Sequence, residues 1–428
     1  MPYKIAAMDV HKRMLAVVVA EVEEADGPYE FERKKFSAMP GSLKALAEWL
    51  NEQDVEEVVM ESTAQYWRPV WGVLEECWQP LRRGREGAGE TAGTLHLCQA
   101  RSNRGARGRK SDFRDAERLL KRYVAQDLRL SFVPDKEQRL WRAVSRRKIQ
   151  KTRDRRRLKQ QLESLLEQAH LKLSSLLKDL FGVSSLRILR AIAAGEKDPA
   201  VLAAMRDANL KATEAQLRDG LQACADLHSV YRRMLDAMLR DYDAIEKEIE
   251  ALQGDLMELM AAHQEVVRRL AEIPGVSVDT AMQIIADVGP KAAAFETEKN
   301  LASWVGVCPG SEESAEKVKS TKSPKGNRFL RGLLYQAGQA AARVKGSVFE
   351  MTFQRLLPGR DYKKVVWAIG HRLCRTIWLV LHKGVDYEER GPAISATSKK
   401  RRTNRMVREL RKLGYRVEPG TLPATLPA

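Results

Sequence analysis

Residues 3–22 read YKIAAMDVHKRMLAVVVAEV, and this stretch decides the fold class of the first third of the chain. β-Branched and apolar residues flank a short polar break at His11 to Arg13, the pattern of two strands joined by a tight turn. Asp9 falls at the end of the first strand. Downstream, GSLKALAEWLNEQ (residues 41–53) sets Leu43, Leu46, Trp49 and Leu50 on one helical face. VEEVVMEST (55–63) reads as a further strand ending in Glu61, and QYWRPVWGVLEE (65–76) as a helix. From Pro80 to Lys110 the text is rich in glycine and arginine without periodicity, which predicts a loop or mobile segment. SDFRDAERLLKRYVAQ (111–126) then predicts a helix with Ser111 as its N-cap. Strands alternating with helices make residues 1–135 an α/β domain.

Residues 136–262 differ in kind, being almost wholly helix-forming. Leu158, Leu162, Leu165, Ala169, Leu173, Leu176 and Leu180 step by threes and fours, and Ile245, Ile249, Leu252, Leu256 and Leu259 keep a strict alternation of four and three. Such spacing predicts a long helical coiled-coil arm, as an antiparallel hairpin or as a dimerisation element. Its first part carries twelve Lys/Arg against two acids between Lys136 and Lys159. A charge run on a helix is ordinarily a solvated face, but so one-sided an excess points toward phosphates.

Residues 263–390 predict a mainly helical C-terminal domain. LAEIPGVSVDTAMQIIADVG (270–289) resembles a helix-hairpin-helix element, whose turn offers backbone N–H groups to a phosphate. Ser277 stands where that hairpin usually has its second glycine, and a structural turn between two core helices reads equally well. A polar loop runs to Gly326, followed by helices at 327–346 and 361–382. Residues 391–428 form a basic tail, with nine Lys/Arg against one acid from Lys399 to Arg416, expected to be disordered.

The formal net charge of +17 and pI near 9.6 speak to a polyanionic partner, DNA or RNA, rather than to fold. No apolar run reaches the roughly 20 residues of a spanning helix, and VVWAIGHRLCRTIWLVLHK is interrupted by His371, Arg372 and Arg375. With no export signal either, the reading is a cytoplasmic protein without membrane contact. Five scattered cysteines without a CxxC pair exclude a zinc ribbon and a disulfide scaffold. Seven histidines, none at HxxxH spacing, leave carboxylates as the ligands for any metal, which selects magnesium or manganese.

Four acids stand where such a site wants them. Asp9 and Glu61 each end a strand, and Asp112 and Asp115 sit one turn apart on one helix face. Two strand ends beside a helix face can hold two divalent ions roughly 4 Å apart, the arrangement used to cleave phosphodiesters. A lone DxxD on a helix is usually solvated; the ordered set is far more specific.

AMDVHK, MESTAQYW, GRKSDFRDAERL and ASWVGVCPGSEESAEKVKSTKSPKGNRFLR, in that order, resemble the signature blocks of the DEDD transposases, recombinases of bacterial insertion sequences. The resemblance spans residue 3 to about 385. It implies a ribonuclease H-like (RuvC-like) N-terminal domain in which Asp9, Glu61, Asp112 and Asp115 bind magnesium. Two positions depart from the family pattern: Ala64 and Glu316 stand where members commonly carry glycine, and residues 80–93 read as an insertion.

GSEESAEKVKSTKSPKGNRFLR holds four serines among Lys317, Lys319, Lys322, Lys325 and Arg328. A serine so surrounded could attack a phosphodiester while the cations stabilise the developing charge, or the loop could simply touch backbone phosphates. Alignment with the family block implies that Ser314 is the nucleophile of a covalent phosphoserine intermediate. Lys12, Arg109, Lys110, Lys317, Lys319, Lys325, Arg328 and Arg331 are the expected nucleic-acid contacts. The resemblance further implies DNA as substrate, an element-encoded noncoding guide RNA, and a dimer or tetramer. Two readings remain beside it: a resolvase-like endonuclease in which Ser314 is structural, and a noncatalytic nucleic-acid-binding scaffold.

Overall fold

The computed structural model describes residues 3–23, 28–61, 64–80, 94–100, 102–103, 111–208, 210–310, 312–314, 317–320 and 323–389, with residues 404 and 408. Arg109, Lys110, Lys322, Glu316, most of the 80–93 segment and the basic tail lie outside them. The chain divides into two compact units, Met1–Pro134 and Asp135–Ala428.

The first unit is a six-stranded sheet with helices on both faces. In chain order it runs β1 (Tyr3–Val10), β2 (Met14–Val22), β3 (Glu32–Ser37), α1 (Pro40–Glu52), β4 (Glu57–Glu61), α2 (Trp67–Cys77), β5 (Leu95–Cys98), α3 (Asp112–Val124) and β6 (Leu130–Ser131). The strand order is β3-β2-β1-β4-β5-β6. β4 runs parallel to β1 and β5, and the other pairings are antiparallel. Both faces of β1 and β2 are covered, which is why these strands read as near-continuous apolar runs. Ala6, Met8 and Val17 pack with Leu46, Leu50 and Leu74 on one face. Ile5, Ala7, Val18 and Val59 pack with Ala116, Leu119 and Leu120 of α3 on the other.

Three strands were not anticipated, β3, β5 and β6, the last being two residues, Leu130–Ser131, paired with β5 at the turn that was expected to close the domain. β5 lies inside the stretch expected to be a loop: LHLC is too short to show a period, and it is a strand because it pairs with β4 from Val58 to Glu61. β3 is an edge strand of sequence ERKKFS, largely exposed, and so carries no apolar signature.

The second unit is helical. It comprises α4 (Lys136–Gln168), α5 (Leu173–Leu176), α6 (Val183–Ala194), α7 (Pro199–Ala204), α8 (Glu214–Gly220), α9 (Ser229–Leu259), α10 (Gln264–Ala271), α11 (Val278–Val288), α12 (Glu298–Val305), a hairpin of β7 (Glu312–Ser314) and β8 (Lys317–Ser320), α13 (Arg328–Ala341), α14 (Val348–Leu356) and α15 (Tyr362–Lys383). The hairpin stands where a polar loop was expected.

α4 and α9 pair antiparallel, since Trp141 Nε1 donates to the Leu259 carbonyl while Arg155 pairs with Glu246 further along. The two helices thread two separate apolar clusters. Trp141 and Leu256 belong to one, built mainly by α10 to α15. Leu158, Leu162, Leu165, Leu235 and Leu239 belong to the other, with α6 to α8. Between the clusters the contact is polar: Arg147 and Lys151 meet Glu248, and Lys148 meets Gln253 and Asp279. Ile245, Ile249 and Leu252 are therefore only half-buried, and the apolar period of α9 has no matching period on α4 there. Much of the α4 charge run is thus answered inside the protein. Arg142 and Arg146 pair with Asp287 of α11 in the same way.

The turn between α10 and α11 packs against α13. Gly275 has φ +83°, and a Cβ there would lie 2.5 Å from the Ala337 carbonyl oxygen and 2.8 Å from Ala341 Cα. Its glycine answers a close helix approach as well as a left-handed backbone. Ser277, in place of a second glycine, caps α11 by accepting from Thr280 N.

Candidate active site

The parity of two strands sets the site. Along β1, Ile5 and Ala7 face α3, so Asp9 does also; along β4, Val59 faces α3, so Glu61 does also. Asp9 and Glu61 are direct register partners at the carboxyl ends of these parallel strands. α3 brings Asp112 and Asp115 in its first turn, where the helix dipole favours carboxylates. Ser111 holds the N-cap position with extended backbone, but its side chain makes no capping hydrogen bond.

His11 completes the cluster. Its N–H closes the β1–β2 turn on the Met14 carbonyl at 3.0 Å. Its Nε2 lies 3.2 Å from Asp9 Oδ2 and 3.6 Å from Asp112 Oδ1. Donor atoms of Asp9, His11 and Asp112 all lie within 4.8 Å of one another, close enough to hold one ion. Glu61 and Asp115 are engaged otherwise. Asn103 Nδ2 donates to Glu61 Oε2, and Arg118 pairs with Asp115 at 2.7 Å.

Burial pushes the Asp9 carboxyl up to about 6; His11 lowers it, and Glu61, Asp115 and Asp112 raise it further. So many carboxylates crowded at a buried strand end are the electrostatic demand of a divalent cation. The donors fit that demand: carboxylate oxygens suit magnesium or manganese, and an imidazole nitrogen adds affinity for manganese. Sequence reading placed His11 in a turn and no further. Its signal was the two-residue offset from Asp9, which becomes informative once Asp9 is known to end a strand.

In the second unit Ser314 ends β7 and pairs in register with Lys317 of β8, for which, as for Lys319, the backbone alone is described. The hairpin springs from a pinched base. Gly306 has φ +81°, and a Cβ there would meet the Pro324 carbonyl oxygen at 2.6 Å, while Asn327 N donates to the Trp304 carbonyl at 3.1 Å. Lys325 is exposed beside this base, and Lys12 is exposed in the turn of the first unit. The Arg328 guanidinium lies 4.8 Å from the centre of the Phe329 ring, with Arg146 at 5.1 Å and Arg153 at 5.6 Å. Arg331 covers Trp367 and donates to the Pro324 carbonyl. Among the described residues, no helix is long and apolar enough to cross a membrane.

Comparison with known proteins bears on both units. Residues 6–171 match a family model described as a transposase, of the DEDD IS110 type, and residues 267–354 match one described as the transposase IS116/IS110/IS902 family. Together these cover more than half of the chain. An insertion element IS110 protein of 43.6 kDa from Streptomyces coelicolor is 24% identical over 151 residues, 35% of this chain and 37% of the relative. A transposase for insertion sequence element IS1111A from Coxiella burnetii is 28% identical over 167 residues, 38% of this chain and 43% of the relative. The chain thus matches about two fifths of the length of these relatives.

Proposed function

Since the chain belongs to the IS116/IS110/IS902 family of transposases, we propose that it cuts and rejoins DNA strands of an insertion sequence with Ser314 as nucleophile and Asp9, Glu61, Asp112 and Asp115 as the acidic site. The register pairing of Asp9 with Glu61, opposite the first turn of α3, carries this reading most directly. The acidic half of the unit has the layout of a ribonuclease H-like nuclease, an antiparallel β1–β2–β3 meander continued by parallel β4.

Asp9, His11 and Asp112 would hold a magnesium or manganese ion, which when bound polarises a phosphodiester oxygen and offsets its developing charge. The chain's own groups do the rest. The Ser314 hydroxyl attacks phosphorus and gives up its proton; the Ser–O–P bond forms as the bond to one sugar oxygen breaks, and that oxygen takes up a proton. Lys317, Lys319, Lys325, Arg328 and Arg331 hold the flanking phosphates, and Lys12, Arg109 and Lys110 are the further backbone contacts of this reading. Strand transfer reverses the step with a different sugar hydroxyl. A guide RNA encoded by the element would read sequence by base pairing, which leaves the protein to grip backbones. Residues 136–262 would join copies of the chain into a dimer or tetramer, and the α10–α11 hairpin serves as a structural turn.

The test is a covalent adduct. Wild-type protein with supercoiled donor, target and the cognate RNA should yield a protein–DNA species that survives denaturation, and Ser314→Ala should yield none. Cleavage by Ser314→Ala at the wild-type rate would instead establish a resolvase-like endonuclease whose carboxylates cut directly.

A further inference from the structure

We propose that Arg118 is a built-in counter-cation of the acidic site, holding Asp115 in the metal-free protein and giving way when a second divalent ion binds. The inference rests on the metal-site reading above and deepens it.

The site residues divide into two sets. Asp9, His11 and Asp112 bring ligand atoms within 4.8 Å of one another, and among the described residues no lysine or arginine pairs with them. Glu61 and Asp115 each have a partner of their own: Asn103 Nδ2 donates to Glu61 Oε2, and Arg118 Nη2 meets Asp115 Oδ1 at 2.7 Å. The two partners also touch each other, because Arg118 Nε donates to the Asn103 carbonyl at 3.3 Å. One guanidinium therefore neutralises Asp115 and braces the residue that orients Glu61.

The brace is built from α3 outward. Arg122, one turn beyond Arg118, donates to the Ser102 carbonyl at 2.7 Å, so consecutive turns of the helix hold consecutive carbonyls of the 102–103 segment. Asn103 is only 2% exposed, and its Oδ1 has no hydrogen-bond partner among the described residues. Buried amides nearly always satisfy both ends. This acceptor belongs to the same amide that grips Glu61 and is left over for a further donor at the site.

The consequence is ordered loading. A first ion meets preformed donors. A second, drawing on Asp115, must replace a charge-assisted ion pair already made, so it binds more weakly until Arg118 finds another anion. The phosphodiester of the substrate is such an anion, and its arrival would free Asp115 as the scissile phosphate comes in.

Titration of the full chain with manganese, by calorimetry, tests this alongside melting in EDTA and in saturating manganese. Wild type should bind two ions of unequal affinity. Arg118→Gln should tighten the second three- to tenfold, leave the first unchanged, and lower the melting temperature in EDTA but not in manganese. Arg118→Lys should stay near wild type. Asn103→Ala should weaken the second ion, because Glu61 loses its guide. A weaker second ion in Arg118→Gln, or an equal fall in both melting temperatures, would make Arg118 a plain structural residue. One ion in wild type and two in Arg118→Gln would support the proposal, whereas one in both would overturn it. No manganese bound by wild type at all would remove the metal site itself.

Discussion

Asp9 and Glu61 face each other across adjacent parallel strands, in register, at the strand ends where α3 begins. Backbone pairing thus fixes the two residues as neighbours on the sheet face that α3 covers. Burial of Asp9 is the larger cost of keeping it ionised, and the charge of Glu61 beside it adds to that cost until a cation arrives.

That cost predicts a stability trade. The folded state favours the proton on Asp9, whose pKa is pushed up to about 6 from 3.8. A raised carboxyl contributes stability that is fully present below the unfolded value and is lost as pH rises through 6. At pH 7.5 the metal-free protein bears the full penalty. Asp9→Asn should therefore stabilise the metal-free protein by about 1–3 kcal/mol in denaturant melts with EDTA, while abolishing strand cleavage. Equal or lower stability of the variant would show that Asp9 is not electrostatically strained.

The same shift sets the pH dependence of metal binding. Only ionised Asp9 is a ligand, so each ion bound near pH 6 should release a fraction of a proton. Apparent magnesium affinity should fall about tenfold between pH 7 and pH 5 from this group alone. Calorimetry in two buffers of different ionisation heat reads the proton directly; no release at pH 6 would contradict the assignment.

His11 should govern metal preference rather than turnover in magnesium. Nitrogen ligands favour manganese over magnesium, and this imidazole is the one nitrogen donor within reach of Asp9 and Asp112 among the described residues. His11→Asn should lower manganese affinity about tenfold and change magnesium affinity about twofold at most. Equal losses for both ions would place His11 outside the coordination sphere.

How far the acidic site could be read in advance follows from what fixes each residue. Asp9 and Glu61 stand out because an acid at the end of an apolar strand is conspicuous, and Asp112 with Asp115 because a helix spacing of three fixes their common face. His11, Asn103 and Arg118 depend on tertiary facts that no local pattern carries: a turn's aim, and a segment brought under α3 by β5. β5 itself is four residues long and exists through its pairing with β4. In the second unit, the spacing of Ile245, Ile249 and Leu252 was plain. What they face was not, for α4 answers them with Lys148, Lys151 and Arg155, ionic partners of α9 and α11 acids.

The α10–α11 turn offers a clean discrimination. Gly275→Ala puts a methyl into α13 backbone at a positive φ, so it should cost about 2–4 kcal/mol of stability. Nucleic-acid affinity of the folded fraction should be unchanged. A variant of normal stability that has lost affinity would return this hairpin to the role of a phosphate-binding turn.

Charge on α4 should separate into two kinds. Arg147 is satisfied by Glu248, so Arg147→Gln should cost well under 1 kcal/mol of stability and leave nucleic-acid binding untouched. Arg153 is exposed, lies over Phe329 beside Arg146 and Arg328, and has no carboxylate partner among the described residues. Three guanidiniums around one ring repel each other and gain from a phosphate in their midst. Arg153→Gln should leave the melting temperature within about a degree, weaken binding to any nucleic-acid sequence alike, and reduce the slope of log affinity against log salt by about one. An unchanged slope would mean that this cluster never meets a phosphate, and that the excess charge of the protein is used elsewhere.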